Sequence, residues 1–237
     1  MDKDLIIIIG VIGFLLILCF LLAIASFSGD KFFDEYKRLL SKNTQTTNTV
    51  SLMINRLNSN ILSNKVKIIP INRTGGDFYN AKQKVVAVNL NSEASLSTFA
   101  VIAHEMGHAY QDIVENKLKK FNKLRMFGSI IGKLFLPILI VGVVLLFLVE
   151  NYFFVLIGTL LTLAFIVFLA IIIKSKTIKI EKNASEIGIN FLKDFLTEDE
   201  LKDCKKLLNS ARLTYWADLI KLLLGWSGLT NKTQMFK

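Results

Sequence analysis

The chain has two histidines in 237 residues, and both lie in one short stretch, His104-Glu105-Met106-Gly107-His108. On a helix, residues i and i+4 share a face, so both imidazoles can present a ring nitrogen to one metal ion. Zinc accepts neutral imidazole in a tetrahedral site, with bonds of about 2.0–2.1 Å. Glu105 stands beside the first histidine, near the open coordination position. There its carboxylate can take a proton from a water that the metal has acidified to a pKa of about 7. A HExxH helix with these roles is the hydrolytic core of a zinc metalloprotease.

The surroundings of the motif support a helix. Ser92-Glu93-Ala94-Ser95-Leu96-Ser97 offers N-cap residues. Phe99, Ile102, Ala103, Met106, Ala109, Tyr110 and Ile113 follow at helical spacing. Gly107 costs a helix about 1 kcal/mol relative to Ala, so its presence points to something packed close to the backbone there.

Two histidines do not complete a catalytic zinc site, which takes three protein ligands and a water. The third must be Asp, Glu or Cys. A metzincin arrangement, with a Gly and a third His downstream, fails at Gln111 and Ile113. The candidates are Asp112, Glu115, Glu181, Glu186 and the later acids. Asp112 and Glu115 continue the histidine helix and cannot easily bend back onto the ion. A carboxylate from a second helix is better placed. Glu181-Lys182-Asn183-Ala184-Ser185 carries two small residues that let another helix approach.

The composition is that of a membrane protein: 52% of residues are hydrophobic and the mean hydropathy is +0.48. A bilayer core of about 30 Å takes about 20 apolar residues in a helix. Leu5–Phe27, Phe127–Val149 and Tyr152–Ile173 meet that length. Only Glu150 and Asn151 separate the second run from the third, which predicts a tight hairpin of two spans. The first run follows the net-acidic Met1-Asp2-Lys3-Asp4 and is too long for the apolar region of a signal peptide. It reads as a retained anchor.

Lysine and arginine cluster after the first span (Lys31, Lys37, Arg38, Lys42), before the second (Lys117, Lys119, Lys120, Lys123, Arg125) and after the third (Lys174, Lys176, Lys179, Lys182). All these clusters fall on one side, which should be the cytoplasm. The net charge of +10 is largely explained this way, and no nucleic-acid partner is expected. Cys19 lies within the first span and Cys204 in the C-terminal block, so no pairing is expected, as suits a reducing compartment.

Four segments follow: residues 1–27, an anchor; 28–126, a cytoplasmic block; 127–173, the hairpin; 174–237, a second cytoplasmic block. In the first block, Asp30–Leu40 and Leu52–Leu62 read as helices, and Ser41–Thr49 as a loop. Val66–Ile71 and Val85–Leu90 read as strands joined through turn residues at Arg73–Asp77. In the second block, Ile178–Leu196 and Leu201–Leu224 read as helices, with a helix start at Thr197–Glu200. Leu213–Trp226 is apolar enough to lie against the membrane.

Several stretches carry a resemblance. Gly76-Asp77-Phe78-Tyr79-Asn80-Ala81-Lys82-Gln83-Lys84-Val85-Val86, then Ala103-His104-Glu105-Met106-Gly107-His108-Ala109-Tyr110-Gln111, resemble the bacterial membrane-bound neutral zinc metallopeptidases of the YugP type. Glu181-Lys182-Asn183-Ala184-Ser185 and Leu208-Asn209-Ser210-Ala211-Arg212-Leu213-Thr214-Tyr215 match the same family in the same order. The chain departs from the family at Lys182 and Asn183, where Phe and Asp are usual, and at Phe78, Asn80 and Ala81, where His, Asp and Pro are usual. The resemblance implies a gluzincin-like site with Glu181 as the third zinc ligand. It extends distantly to the HtpX and CAAX-type membrane proteases, which also place a membrane hairpin between HExxH and the ligand Glu.

Helix geometry agrees with that implication. Glu115 starts roughly 10 Å beyond His108 along the same axis, and Glu186 is rotated roughly 140° from Glu181. Asn183 could hydrogen-bond a ligand histidine, more weakly than a carboxylate. Tyr215 and Arg212 are candidate oxyanion donors or partners of the ligands.

The expected fold is a mainly α membrane protein: three transmembrane helices with a zincin-like α+β cytoplasmic domain carrying a small sheet. The expected function is that of a multi-pass cell-membrane zinc endopeptidase, with a cytoplasmic active site, acting on a peptide or membrane-protein substrate. Its partner surface is the lipid bilayer and its cofactor Zn2+. The alternative is a catalytically silent zinc-binding scaffold, which would need a closed site with a fourth protein ligand.

Overall fold

The computed structural model describes residues 30–71, 77–89, 93–149 and 152–223. The first hydrophobic run, Leu5–Phe27, lies outside them, as do Arg73–Gly76 of the expected turn, Glu150 and Asn151 of the hairpin, and the chain beyond residue 223.

Residues 30–40 are helical (α1). Helix α2, Val50–Asn60, starts at Thr49, whose hydroxyl accepts from the Leu52 amide at 3.2 Å. It buries Val50, Met53, Ile54 and Leu57, one stripe at helical spacing. Asn58 then fixes the turn out of the helix: its side chain donates to Val66 O and accepts from Val66 N. Ser63 and Asn64 take positive φ of 53° and 57° in that turn.

The sheet has three strands, β1 (Lys67–Pro70), β2 (Phe78–Asn80) and β3 (Val85–Val88), in the order β1-β3-β2. β1 runs parallel to β3, and β2 antiparallel to it. β3 is buried at every residue, as a continuous apolar run in a central strand should be. The β2–β3 turn is held by Asn80 Oδ1, which accepts from the Lys82 and Gln83 amides. β2 has no strand signature in the sequence. It is three residues long and only half-buried, so it carries no alternating pattern of its own.

Helix α3, Leu96–Ile113, is the core of the molecule, with Phe99, Ile102, Ala103 and Met106 fully buried. Its first turn starts at Ser95. The Ser95 hydroxyl does not cap the helix; it donates to Leu39 O, tying α3 to α1.

Helices α4 (Leu118–Leu148) and α5 (Tyr152–Leu192) form a long apolar hairpin, and α6 is Glu198–Leu223. Two of the described helices, rather than the three runs expected from the whole sequence, are long and apolar enough to cross a membrane. α5 passes through Lys174–Thr177 without a break, so the expected span and the expected helix at Ile178–Leu196 are one rod ending at Leu192. Within it, the Thr162 and Thr177 hydroxyls donate back to Gly158 O and Ile173 O.

α6 begins with a reciprocal cap: the Thr197 amide donates to Glu200 Oε2 at 2.8 Å, and the Glu200 amide reaches Thr197 Oγ1 at 3.5 Å. Glu200 Oε1 also accepts from the Gln45 amide, which pins the loop before α2. Cys204 is buried against α3, and burial pushes its thiol up to about 12; it serves as core.

Two close backbone contacts set how α3 meets α5. A Cβ at Gly107 would collide with the Ala184 carbonyl, and one at Gly188 would stand 2.7 Å from Ala103 O. Glycine at these points is therefore a packing requirement. Gly107→Ala should destabilise the protein by about 1–3 kcal/mol through overpacking and lower its melting temperature. Unchanged thermal unfolding would contradict this.

Candidate metal centre

His104 and His108 lie one turn apart on α3, and Glu181 faces them from α5. The Glu181 Oε2 atom is 3.0 Å from His108 Nε2 and 3.3 Å from His104 Nε2. The three side chains form the one described group of this kind that could hold a metal, with ligand atoms within 4.8 Å of one another. Donors bonded at 2.0–2.2 Å to one tetrahedral zinc stand roughly 3.3–3.5 Å apart. Two imidazoles and one carboxylate at this spacing fit a zinc ion and leave one position open.

Each histidine has a partner on its other ring nitrogen. Ser185 donates its hydroxyl proton to Glu181 O at 3.0 Å, so its oxygen accepts from His104 Nδ1, also at 3.0 Å. Gln111 donates its amide to Ile180 O and Asn183 Oδ1, so its Oε1 accepts from His108 Nδ1 at 3.0 Å. Both imidazoles are thereby held with hydrogen on Nδ1 and Nε2 turned to the centre, the orientation a metal ligand needs. Asn183 lies one bond farther from the histidine than expected, acting through Gln111. In the sequence Gln111 breaks the metzincin pattern and closes the stretch that carries the family resemblance, three residues after His108, but neither signal points to a role as partner of that histidine.

Tyr215 comes from α6 and donates its hydroxyl to Glu181 Oε2 at 3.0 Å. It is therefore a partner of the carboxylate. The side chain of Arg212 lies outside the described residues. The other acids considered as ligands point elsewhere. Asp112 accepts from Tyr79 Oη at 2.6 Å and pairs with Lys84. Glu115 faces Lys117 at 3.0 Å, and Glu186 faces Lys182 at 3.5 Å on the solvent side of α5.

Glu105 is 4% exposed, and its Oε2 accepts the Tyr79 amide of β2 at 2.7 Å. Burial pushes its carboxyl above the usual range, against the pull of the two histidines. A carboxylate so raised is a stronger base near neutral pH. Burial opposes protonation of His108, but the carboxylates of Glu181 and Glu105 outweigh it and raise the imidazole to about 9. That proton must leave before Nε2 can ligate.

Tyr79 is fastened twice, by its amide to Glu105 and by its phenol to Asp112 one turn past His108. Burial and Asp112 both raise the phenol, which keeps it a donor. The edge strand is thus locked to the HExxH helix. Loss of the Gln111 contacts should loosen the other side of the site. Gln111→Ala is expected to weaken zinc binding by about 10- to 100-fold, as read by chelator competition; an unchanged affinity would contradict this role.

No curated protein and no solved structure matches the chain. From residue 11 to residue 227 the sequence matches the family described as "Putative neutral zinc metallopeptidase", and the chain belongs to that family.

Proposed function

We propose that the protein is a membrane-anchored, zinc-dependent endopeptidase in which Glu105 is the general base. The observation that carries this reading is the convergence of His104, His108 and Glu181, with a buried fourth residue, Glu105, beside them. Zinc at such a centre supplies a Lewis acid that polarises the scissile carbonyl and acidifies a water. Glu105 takes the proton from the attacking water and passes it to the leaving amine as the C–N bond breaks. The Tyr79 amide holds the Glu105 carboxylate in place throughout. Tyr215 and Gln111 keep Glu181 and His108 aimed at the centre.

The membrane part of the proposal rests on α4 and α5. Phe127, Ile140, Phe154, Leu161, Phe165 and Phe168 are all more than half exposed. Soluble monomers rarely expose contiguous apolar surface beyond a few hundred Å². Lipid would cover these faces, and the basic residues at one end of both helices support a cytoplasmic position for that end.

Two outcomes are expected. The purified protein should hold about one zinc per chain, lost in His104→Ala, His108→Ala and Glu181→Ala. Glu105→Gln should keep the metal and lose at least about 100-fold in casein hydrolysis, in line with removal of a general base. Full activity in Glu105→Gln would refute the mechanism. For topology, cysteines introduced as Glu150→Cys and Asn43→Cys should label from opposite sides. Labelling of Asn43→Cys from outside intact cells would refute the cytoplasmic assignment.

A further inference from the structure

The metal centre is fixed at a set height above the apolar hairpin. At one level, α4 and α5 touch: a Cβ on Gly128 would stand 2.6 Å from Ile173 Cγ2. On one side of that level both helices are apolar, over residues 129–148 and 152–172 apart from Lys133, which lies within snorkelling reach of the surface. On the other side both are basic, with Lys119 and Lys123 on α4 and Lys174, Lys176 and Lys179 on α5. The apolar boundary thus coincides on two antiparallel helices. The apolar part of α5, Tyr152–Ile173, is about 33 Å long at 1.5 Å per residue, the thickness of a bilayer core.

Glu181 lies eight residues beyond Ile173 on the same unbroken helix. That is about 12 Å at 1.5 Å per residue. A tilt of about 20° shortens this by only about 1 Å. The contact of Gly107 with Ala184 and of Gly188 with Ala103 fixes α3, and with it His104 and Glu105, to this part of α5. The centre therefore cannot move far from the membrane without breaking the helix pair.

We infer that the protein is a membrane ruler: it cuts polypeptides anchored in the same bilayer, a short fixed distance beyond the end of their spanning segment. The inference rests on the zinc-peptidase and membrane readings above. A chain leaving the bilayer covers 12 Å in about four residues when extended and about eight when helical. The scissile bond lies in that window, on the side of the membrane that carries the lysines. A substrate held in the bilayer is also concentrated at the height of the site, as a tethered ligand is.

The test uses the full chain in proteoliposomes with a synthetic single-span polypeptide. Its juxtamembrane tail is one repeating sequence, so that position and not local sequence selects the cut. Mass spectrometry should place the cuts about four to eight residues beyond the last apolar residue. The same tail without its span should be cut at least about tenfold more slowly. Cuts spread along the tail, equal rates for the two forms, or hydrolysis of casein without cleavage of the anchored tail would each overturn the ruler.

A second arm does not need catalysis. In the Glu105→Gln protein, a photo-crosslinking residue four to eight positions beyond the span should couple near Phe78–Asn80, and one about twenty positions beyond should not. Equal coupling at both overturns the inference. If neither tail nor casein is cut yet the near position couples selectively, the peptidase reading fails and the geometry of the ruler stands.

Discussion

The backbone contact between α3 and α5 is the constraint on which everything else depends. Two of the proposed metal ligands lie on one helix and the third on another, and His108 and Glu181 are 73 positions apart in the chain. A carboxylate reaches two imidazoles at 3.0 and 3.3 Å only if the helix axes come unusually close. Gly107 opposite Ala184, and Gly188 opposite Ala103, permit that approach. The glycine that weakens the HExxH helix in isolation is the one that lets the second helix bring Glu181 to the two histidines. The long excursion through α4 and the apolar half of α5 then returns the chain to the two histidines from a fixed direction.

Around this contact, the proton positions are set by residues outside the group His104, His108 and Glu181. Ser185 spends its one hydroxyl hydrogen on its own helix and so must accept from His104. Gln111 donates twice to α5 and so must accept from His108. Glu105 is held from the opposite side by the amide of an edge strand. The same helix–helix seam thus supplies Glu181, both tautomers and the closeness of packing. A change at any of these points is felt by the others, because they share the buried contact between α3 and α5.

Much of this arrangement was legible in the sequence, and the gaps have physical causes. Histidine used only at positions 104 and 108, with apolar residues at helical spacing around them, points to both the helix and its chemistry. The runs at Val66 and Val85 gave two strands of the sheet. β2 escaped because three half-buried residues hold no period; only pairing with β3 makes them a strand. The continuity of α5 escaped because composition changes at Lys174 from apolar to basic. Composition reports what surrounds a helix, while the backbone runs on wherever no proline or glycine interrupts it. Ser185 was legible as a small residue, but its hydroxyl's role was not. Gln111 stood in the stretch that carries the resemblance but without a readable role, since a side-chain amide becomes informative only when its partners on another helix are known.

The central claim is that two histidines of α3 and a carboxylate of α5 hold one zinc with an open position. X-ray absorption spectroscopy of the zinc-loaded protein tests this most directly. The account predicts a shell of two imidazole nitrogens at about 2.0–2.1 Å and oxygen donors at about 2.0–2.2 Å, one of them exchangeable. In Glu181→Gln that shell should be lost or disordered. A sulfur scatterer at about 2.3 Å, or a single imidazole in the shell, would contradict the account.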